Sequence, residues 1–231
     1  MWRPVDVGTS LLASGLRLGA GLRVGRLGPR PRETLELYDE EGCPYCRKVR
    51  EALSELDLEA RIWPCPAGGE RYRAEAERRG GKRQFPLLVD ASLPAPLYES
   101  DAIVRHLHER YGAGRPPLWA RPGQLLDALS VAATGTRGTR GLRARPGRRA
   151  PERALELWSF EASPYCRIVR ELLTELELPY LLHNVAKRSP SRPAFVARSG
   201  RMMVPYLVDP NTSRELFESA DIARYLTETY G

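Results

Sequence analysis

The sequence predicts an α/β protein built from two like-folded modules in tandem. Three observations carry this: the chain repeats itself at a shift of 120 residues, each copy runs through the same series of strand and helix patterns, and each copy places an X-Pro-Tyr-Cys tetrapeptide where a strand gives way to a helix. At that shift Leu35-Glu36-Leu37-Tyr38 falls on Leu155-Glu156-Leu157-Trp158, Cys43-Pro44-Tyr45-Cys46-Arg47 on Ser163-Pro164-Tyr165-Cys166-Arg167, and Val49-Arg50-Glu51 on Val169-Arg170-Glu171. One deletion changes the shift to 119. Pro86 then meets Pro205, Val89-Asp90 meets Val208-Asp209, and Glu99-Ser100 meets Glu218-Ser219.

The elements of the first copy follow in order. The alternating run Leu35–Tyr38 fits a half-buried strand. A loop ends at Cys43, and Pro44 suits the first position of a helix, where a missing N–H costs nothing. Val49, Leu53 and Leu56 recur at helical spacing. Ala60–Trp63 fits a second strand, parallel to the first because a helix connects them. A charged helix around Arg71–Arg79 comes next. Pro86–Val89 is a third strand, Leu97-Tyr98 opens a short fourth, and Ser100–Arg110 is a closing helix capped by Ser100. The order β-α-β-α-β-β-α is that of the thioredoxin fold. The expected domains are 1–112 and 113–231.

Charge is distributed unevenly. Net charge is +7, yet residues 1–31 hold five Arg against one Asp, and residues 113–150 hold eight Arg against one Asp. Two basic Arg/Gly-rich leaders therefore precede mildly acidic modules. The first leader alone resembles an Arg-rich transit peptide. However, Ser10, Ala13, Gly15, Arg17, Gly21, Leu22, Arg23 and Pro31 recur at 130, 133, 135, 137, 141, 142, 143 and 151. A cleavable signal has no reason to recur in mid-chain, so both leaders read as part of the repeated unit, with a duplicated flexible linker as the alternative. The leaders lack interleaved aromatics and any reading motif, so nucleic acid is not an expected partner. No run approaches 18 apolar residues, so no membrane partner is expected either. The four cysteines, three in one copy and one in the other, do not suggest a secreted disulfide framework. A cytoplasmic location is the corresponding expectation.

The ordered set of Cys/Ser-Pro-Tyr-Cys, Phe85-Pro86 or Val204-Pro205, and Glu-Ser before the last helix, found twice, resembles glutaredoxins and the N-terminal domain of glutathione transferases. Neither copy is followed by the all-helical domain that completes a glutathione transferase. The resemblance implies glutathione as cofactor and Cys43 as nucleophile, with Cys46 one helical turn deeper as its resolving partner. It implies cis prolines at Pro86 and Pro205, preceded by Phe85 and Val204 that pair their backbone with glutathione. It further implies a γ-glutamyl site at Glu99-Ser100 and Glu218-Ser219, with Tyr45 and Ser163 also lining the glutathione sites. A thiol at a helix N-terminus, with Arg47 and Lys48 nearby, is expected to ionise readily. Cys65 should share a sheet edge with Cys43. It reads as a resolving thiol, a metal ligand or a passive loop residue. His106, His108 and His183 show no ligand spacing.

Three functions compete: a glutathione-linked thiol-disulfide oxidoreductase acting on protein or small-molecule disulfides, an iron–sulfur carrier using Cys43 with glutathione or Cys65, and a glutathione-binding module without turnover. In each, the Ser163 copy is a degenerate glutathione-binding or structural partner, and the two copies are expected to pack on each other.

Overall fold

A computed structural model describes residues 4–17, 19–113, 124–146 and 148–231. The first leader holds helix α1 (Pro4–Leu16). The first module comprises β1 (Leu35–Asp39), α2 (Pro44–Glu55), β2 (Ala60–Pro64), α3 (Arg73–Gly80), β3 (Leu87–Val89) and α4 (Ser100–Tyr111). The second leader holds α5 (Gln124–Gly135). The second module comprises β4 (Leu155–Ser159), α6 (Pro164–Glu175), β5 (Tyr180–Asn184), α7 (Arg192–Ser199), β6 (Tyr206–Asp209), β7 (Arg214–Phe217) and α8 (Ser219–Tyr230).

Three local expectations are corrected. The charged helix begins at Arg73, because the Arg71 side chain turns away to donate to the carbonyls of Leu176 and Glu177. The first module has no fourth strand. Leu97 makes one bridge to Leu88, and Pro94 and Pro96 on either side of the bend cannot extend a ladder. The second module, without those prolines, forms β7 in full against β6. Finally, Ser100 and Ser219 are first helical residues; the cap positions belong to Glu99 and Glu218.

The seven strands form one sheet in the order β3-β1-β2-β5-β4-β6-β7. At its middle β2 runs antiparallel to β5, with Arg61 opposite Leu181, flanked by Ala60 opposite Leu182 and Ile62 opposite Tyr180. Arg61 and Leu181 are equivalent positions of the repeat. A register symmetric about that pair puts a two-fold axis between the strands. Leu37, Leu53, Ile103 and Leu107 and their counterparts Leu157, Leu173, Ile222 and Leu226 belong to one continuous buried cluster.

The leader helices cross over. α1 lies on α6 of the second module: Ser10 Oγ donates to the Pro164 carbonyl at 3.2 Å and Ser14 Oγ to the Ala162 carbonyl at 3.0 Å. α5 lies on α2 of the first, with Ser130 Oγ donating to the Pro44 carbonyl at 2.8 Å. The two helices run antiparallel, since residues just after α5 meet the start of α1: Arg137 Nη1 donates to the Asp6 carbonyl at 2.7 Å and Thr136 Oγ1 to that of Thr9 at 3.3 Å. Each leader then returns to its own module, through Arg17–Glu51 and Arg137–Glu171 ion pairs of 2.7 Å. Gly21 (φ 74°) and Gly141 (φ 65°) make the following turns. A Cβ there would stand 2.8 Å from Glu161 Cβ and 2.9 Å from Glu41 Cβ respectively, so glycine is needed for both its backbone and its bareness. Among the described residues no helix is long and apolar enough to cross a membrane.

Trypsin provides a check on the leaders. Arg137 is 6 % exposed, and the segment beyond it is tied down by Ala67 N–H to the Leu142 carbonyl and Ala144 N–H to the Ala67 carbonyl. Native protein should resist cleavage at Arg137, Arg140 and Arg143 for as long as it resists global unfolding. Rapid release of fragments ending there would instead show a flexible linker.

Candidate active site

The site is built at one edge of the sheet. Tyr38 pairs with Leu87, so the end of β1 and the Phe85-Pro86 step before β3 share that edge. The chain leaving β1 enters α2 at Cys43, the N-cap residue (φ −86°, ψ 127°). Lys48 of α2 is ion-paired to Asp101 in the first turn of α4, which brings the starts of these two helices together. Cys43 and Ser100 therefore stand at helix N-termini facing the same side. The Phe85–Pro86 and Val204–Pro205 peptide bonds are cis. Glu99 (φ 68°) and Glu218 (φ 62°) hold a backbone conformation that side-chain-bearing residues seldom adopt, at the same point of both modules. Glu99 Oε1 accepts from Gln84 Nε2 at 2.7 Å. The Phe85 ring carries the Arg73 guanidinium at 4.7 Å. Tyr45 is about half-exposed, at 49 %.

The two thiols of the motif differ in character. The Cys46 S–H donates to Cys43, and this is the largest influence lowering the Cys43 pKa. Burial opposes it, while the backbone N–H groups of Cys46 and Tyr45 reinforce it. Cys43 is partly exposed. Cys46 is fully buried, and burial pushes its thiol well above the ordinary range, with Cys43 and Asp39 adding to the rise. Arg47 and Lys48 do not supply the free positive charge expected beside Cys43. Arg47 is buried on Glu51 at 3.1 Å and donates to the Ala13 carbonyl at 3.0 Å, and Lys48 lies between Asp101 and Asp127.

Cys65 does reach this edge, with its N–H on the Asp39 carbonyl at 2.7 Å. Its side chain is nonetheless wholly buried, packed with Tyr38, Ala76 and Leu87, and burial raises its pKa. It is a core thiol. Among the described residues no three His, Cys, Asp or Glu side chains are grouped to hold a metal ion. His106 bonds Asp90 at 2.8 Å, and His108 is buried with its pKa lowered by burial. His183 sits between Glu59 and Glu156.

In the second module the corresponding position is closed. Ser163 is 4 % exposed, its Oγ accepts the Cys166 N–H at 3.3 Å, and α1 crosses beside it through Ser10 and Ser14. Cys166 is fully buried, with its pKa raised by burial. Tyr165, Val204, Pro205, Glu218 and Ser219 match their first-module counterparts in burial: Tyr165 48 % exposed, Val204 part-buried, Pro205 and Ser219 buried, Glu218 exposed.

Beneath both motifs lies a buried charge cluster that spans the modules. Arg50 Nη1 donates to both Asp39 oxygens at 2.8 Å, and Arg50 Nε to Glu161 at 3.2 Å. Its counterpart Arg170 binds Glu41 at 3.0 Å and Glu161 at 2.7 Å. Burial would raise the Glu161 carboxyl, but Arg170, Arg50, Arg167 and Arg47 hold it down at about 2. Glu41 moves the other way, because burial outweighs Arg170 and Arg50 and Glu161 adds repulsion. The copies differ at Asp39 under the cysteine pair, whose counterpart under the Ser163 motif is Ser159, to whose hydroxyl Arg170 Nη1 donates at 3.0 Å.

The family description "Glutathione S-transferase, N-terminal domain" matches residues 37–117 and 157–231, more than half of the chain. The chain belongs to the glutathione S-transferase N-terminal domain family. The match in two segments makes this glutathione S-transferase N-terminal-domain protein a tandem of thioredoxin-like modules. Among solved structures it is similar to a Leishmania trimeric glutathione transferase, with 12 % identity over 87 % of this chain and 68 % of that one and a TM-score of 0.33. There is no match among curated proteins. The N-terminal-domain match begins inside β1 and β4, so it leaves out both crossing helices, which sequence reasoning also did not place at the site. The recurrence of Ser10 and Arg17 as Ser130 and Arg137 was the available signal.

Proposed function

We propose that the chain is a glutathione-linked thiol-disulfide oxidoreductase acting through Cys43, with the second module as its structural partner. The observation that carries this reading is the contrast between the two motifs. Cys43 is accessible at a helix N-terminus with a lowered pKa, and the buried Cys46 beside it donates to it. Ser163 is buried and cannot form a disulfide.

The chemistry balances with glutathione as the reductant. The Cys43 thiolate attacks the glutathione sulfur of a mixed disulfide, forming a Cys43–glutathione disulfide and expelling the substrate thiolate. A second glutathione thiolate then attacks that glutathione sulfur, which yields oxidised glutathione and restores the Cys43 thiolate. Alternatively Cys46 loses its proton and attacks the Cys43 sulfur, releasing glutathione and forming a Cys43–Cys46 disulfide, which two further glutathione thiolates reduce to give oxidised glutathione. The uncapped start of α4 at Ser100 suits the γ-glutamyl carboxylate of glutathione. Phe85, beside the site edge, is the backbone partner for its cysteinyl unit.

The burial of Cys65 weighs against an iron–sulfur cluster held by Cys43 and Cys65, because thiolate ligands must reach the metal. The test is direct. Protein purified without oxygen should be colourless and should reduce a mixed disulfide of glutathione and a small thiol, with glutathione as reductant. Visible absorbance that bleaches in air, without reductase activity, would assign the cluster reading instead. Alkylation followed by mass spectrometry gives a companion result. Native protein should label at Cys43 first, while Cys46, Cys65 and Cys166 label only on unfolding. Fast native labelling of Cys65 would contradict its place in the core.

A further inference from the structure

Among the described residues, most of the exposed large apolar side chains fall in one place. Leu11 (54 %), Leu12 (55 %) and Val131 (51 %) lie on the crossing helices α1 and α5. Tyr45 (49 %) and Tyr165 (48 %) lie beside them, each next to a proline whose carbonyl is held by a serine of the crossing helix. Between them the exposed positions are small: Gly8 and Gly15 on α1, Ala128, Ala132 and Gly135 on α5. The arginines that follow the two helices, Arg17 and Arg137, are buried in ion pairs. A face this apolar is unusual for an isolated surface.

We propose that this α1/α5 face is the contact between two copies of the chain, giving a homodimer with a four-helix seam. Three observations select a second copy as the occupant. The face is two-fold symmetric within one chain, since Gly8, Leu11, Leu12 and Gly15 answer to Ala128, Val131, Ala132 and Gly135 across antiparallel helices. An isologous interface needs such a self-complementary patch. The face also continues the α1–α5 contact that already joins the modules, so a second copy extends an existing packing layer. Its area is of the required order: five half-exposed side chains supply on the order of 500 Å² per copy, and the small residues between them bring it toward the ~800 Å² per partner of a standard interface. A lipid surface is the poorer fit, because helices that bind one carry Lys and Arg on their polar face, and the described exposed residues of α1 and α5 include neither. The inference does not depend on the redox reading.

Light scattering of the full chain tests it. The expected mass is twice the chain mass of 26.0 kDa. Leu12→Asp combined with Val131→Asp should give the mass of one chain, while Val196→Asp, an exposed apolar position on α7, should leave the dimer intact. Gly15→Lys and Gly135→Lys guard against misfolding. A Cβ at either site meets nothing within 4 Å, and lysine favours helix over glycine, so both variants should fold and both should be monomeric. The proposal fails if wild type has the mass of one chain at about 100 μM, where even a ~10 μM dimer would be largely paired. It fails equally if the Lys variants remain dimeric, or if a monomeric chain co-sediments with phosphatidylglycerol vesicles, which would give the face to lipid.

Discussion

Cys43→Ser should abolish reduction of glutathione mixed disulfides, a loss of ~10³-fold or more, because the other three thiols are buried and serine cannot form the covalent intermediate. Cys46→Ser should keep the glutathione-dependent route, since a second glutathione can release the substrate from Cys43 without it. Cys46→Ala separates two roles of Cys46. The Cys46 S–H is the largest influence holding the Cys43 pKa down. Alanine removes that donor, so less of Cys43 is thiolate at a given pH. In wild type the rate of Cys43 alkylation should hold up below the ordinary thiol pKa of ~8.5. In Cys46→Ala its midpoint should move upward, and in Cys46→Ser, whose hydroxyl can still donate, it should move less. Equal midpoints in all three proteins would show that the helix terminus alone sets the reactivity. Full activity in Cys43→Ser would remove the proposed function altogether.

Arg170→Ala should destabilise the whole chain by ~3–5 kcal/mol, since it removes one of the two guanidiniums that Glu41 and Glu161 share in the interior and leaves Arg50 alone between them. Both carboxylates are buried, and they lie on opposite modules. The loss should therefore appear as one earlier unfolding transition of the intact protein. Two separate transitions, each matching residues 1–112 or 113–231 alone, would show that the modules are independent and that the cluster does not couple them. The acid response has a definite sign. The folded Glu161 pKa lies below its unfolded value, so its stabilisation is fully present above ~4.3 and is lost as pH falls toward about 2. Arg170→Ala removes the largest attraction holding that carboxyl down, which should move the acid midpoint of unfolding upward. An unchanged acid midpoint would mean that Glu161 is ionised for some other reason.

Much of this was legible in the chain. The 120-residue repeat, the strand and helix order, the helix start at Pro44 and the two X-Pro-Tyr-Cys turns are local patterns, set by side-chain periodicity and by the backbone limits of proline. In α2 the polar residues Arg47, Lys48, Arg50, Glu51 and Ser54 are all buried, although charged residues of an amphipathic helix ordinarily face solvent. Their partners are Glu161 and Asn184 from the second module, Asp127 from the second leader, and Ala13 and Arg17 from the first. Such pairs are separated by 34 to 130 residues, and no local pattern announces which charge will meet which.

The sequence by itself determined two thioredoxin-like modules, a Cys-Pro-Tyr-Cys motif at a helix start in one and Ser163 in place of its first cysteine in the other. Only the tertiary structure decided that Cys65 is a core residue, that α1 crosses beside Ser163 while α5 braces the Cys43 helix, and that the leaders belong to the fold. The physical reason is that burial is a property of assembled surfaces. A thiol or a guanidinium carries the same local signature whether the opposite face is water, a helix from the other leader or a carboxylate from the other repeat. That opposite face sets its charge state and its access.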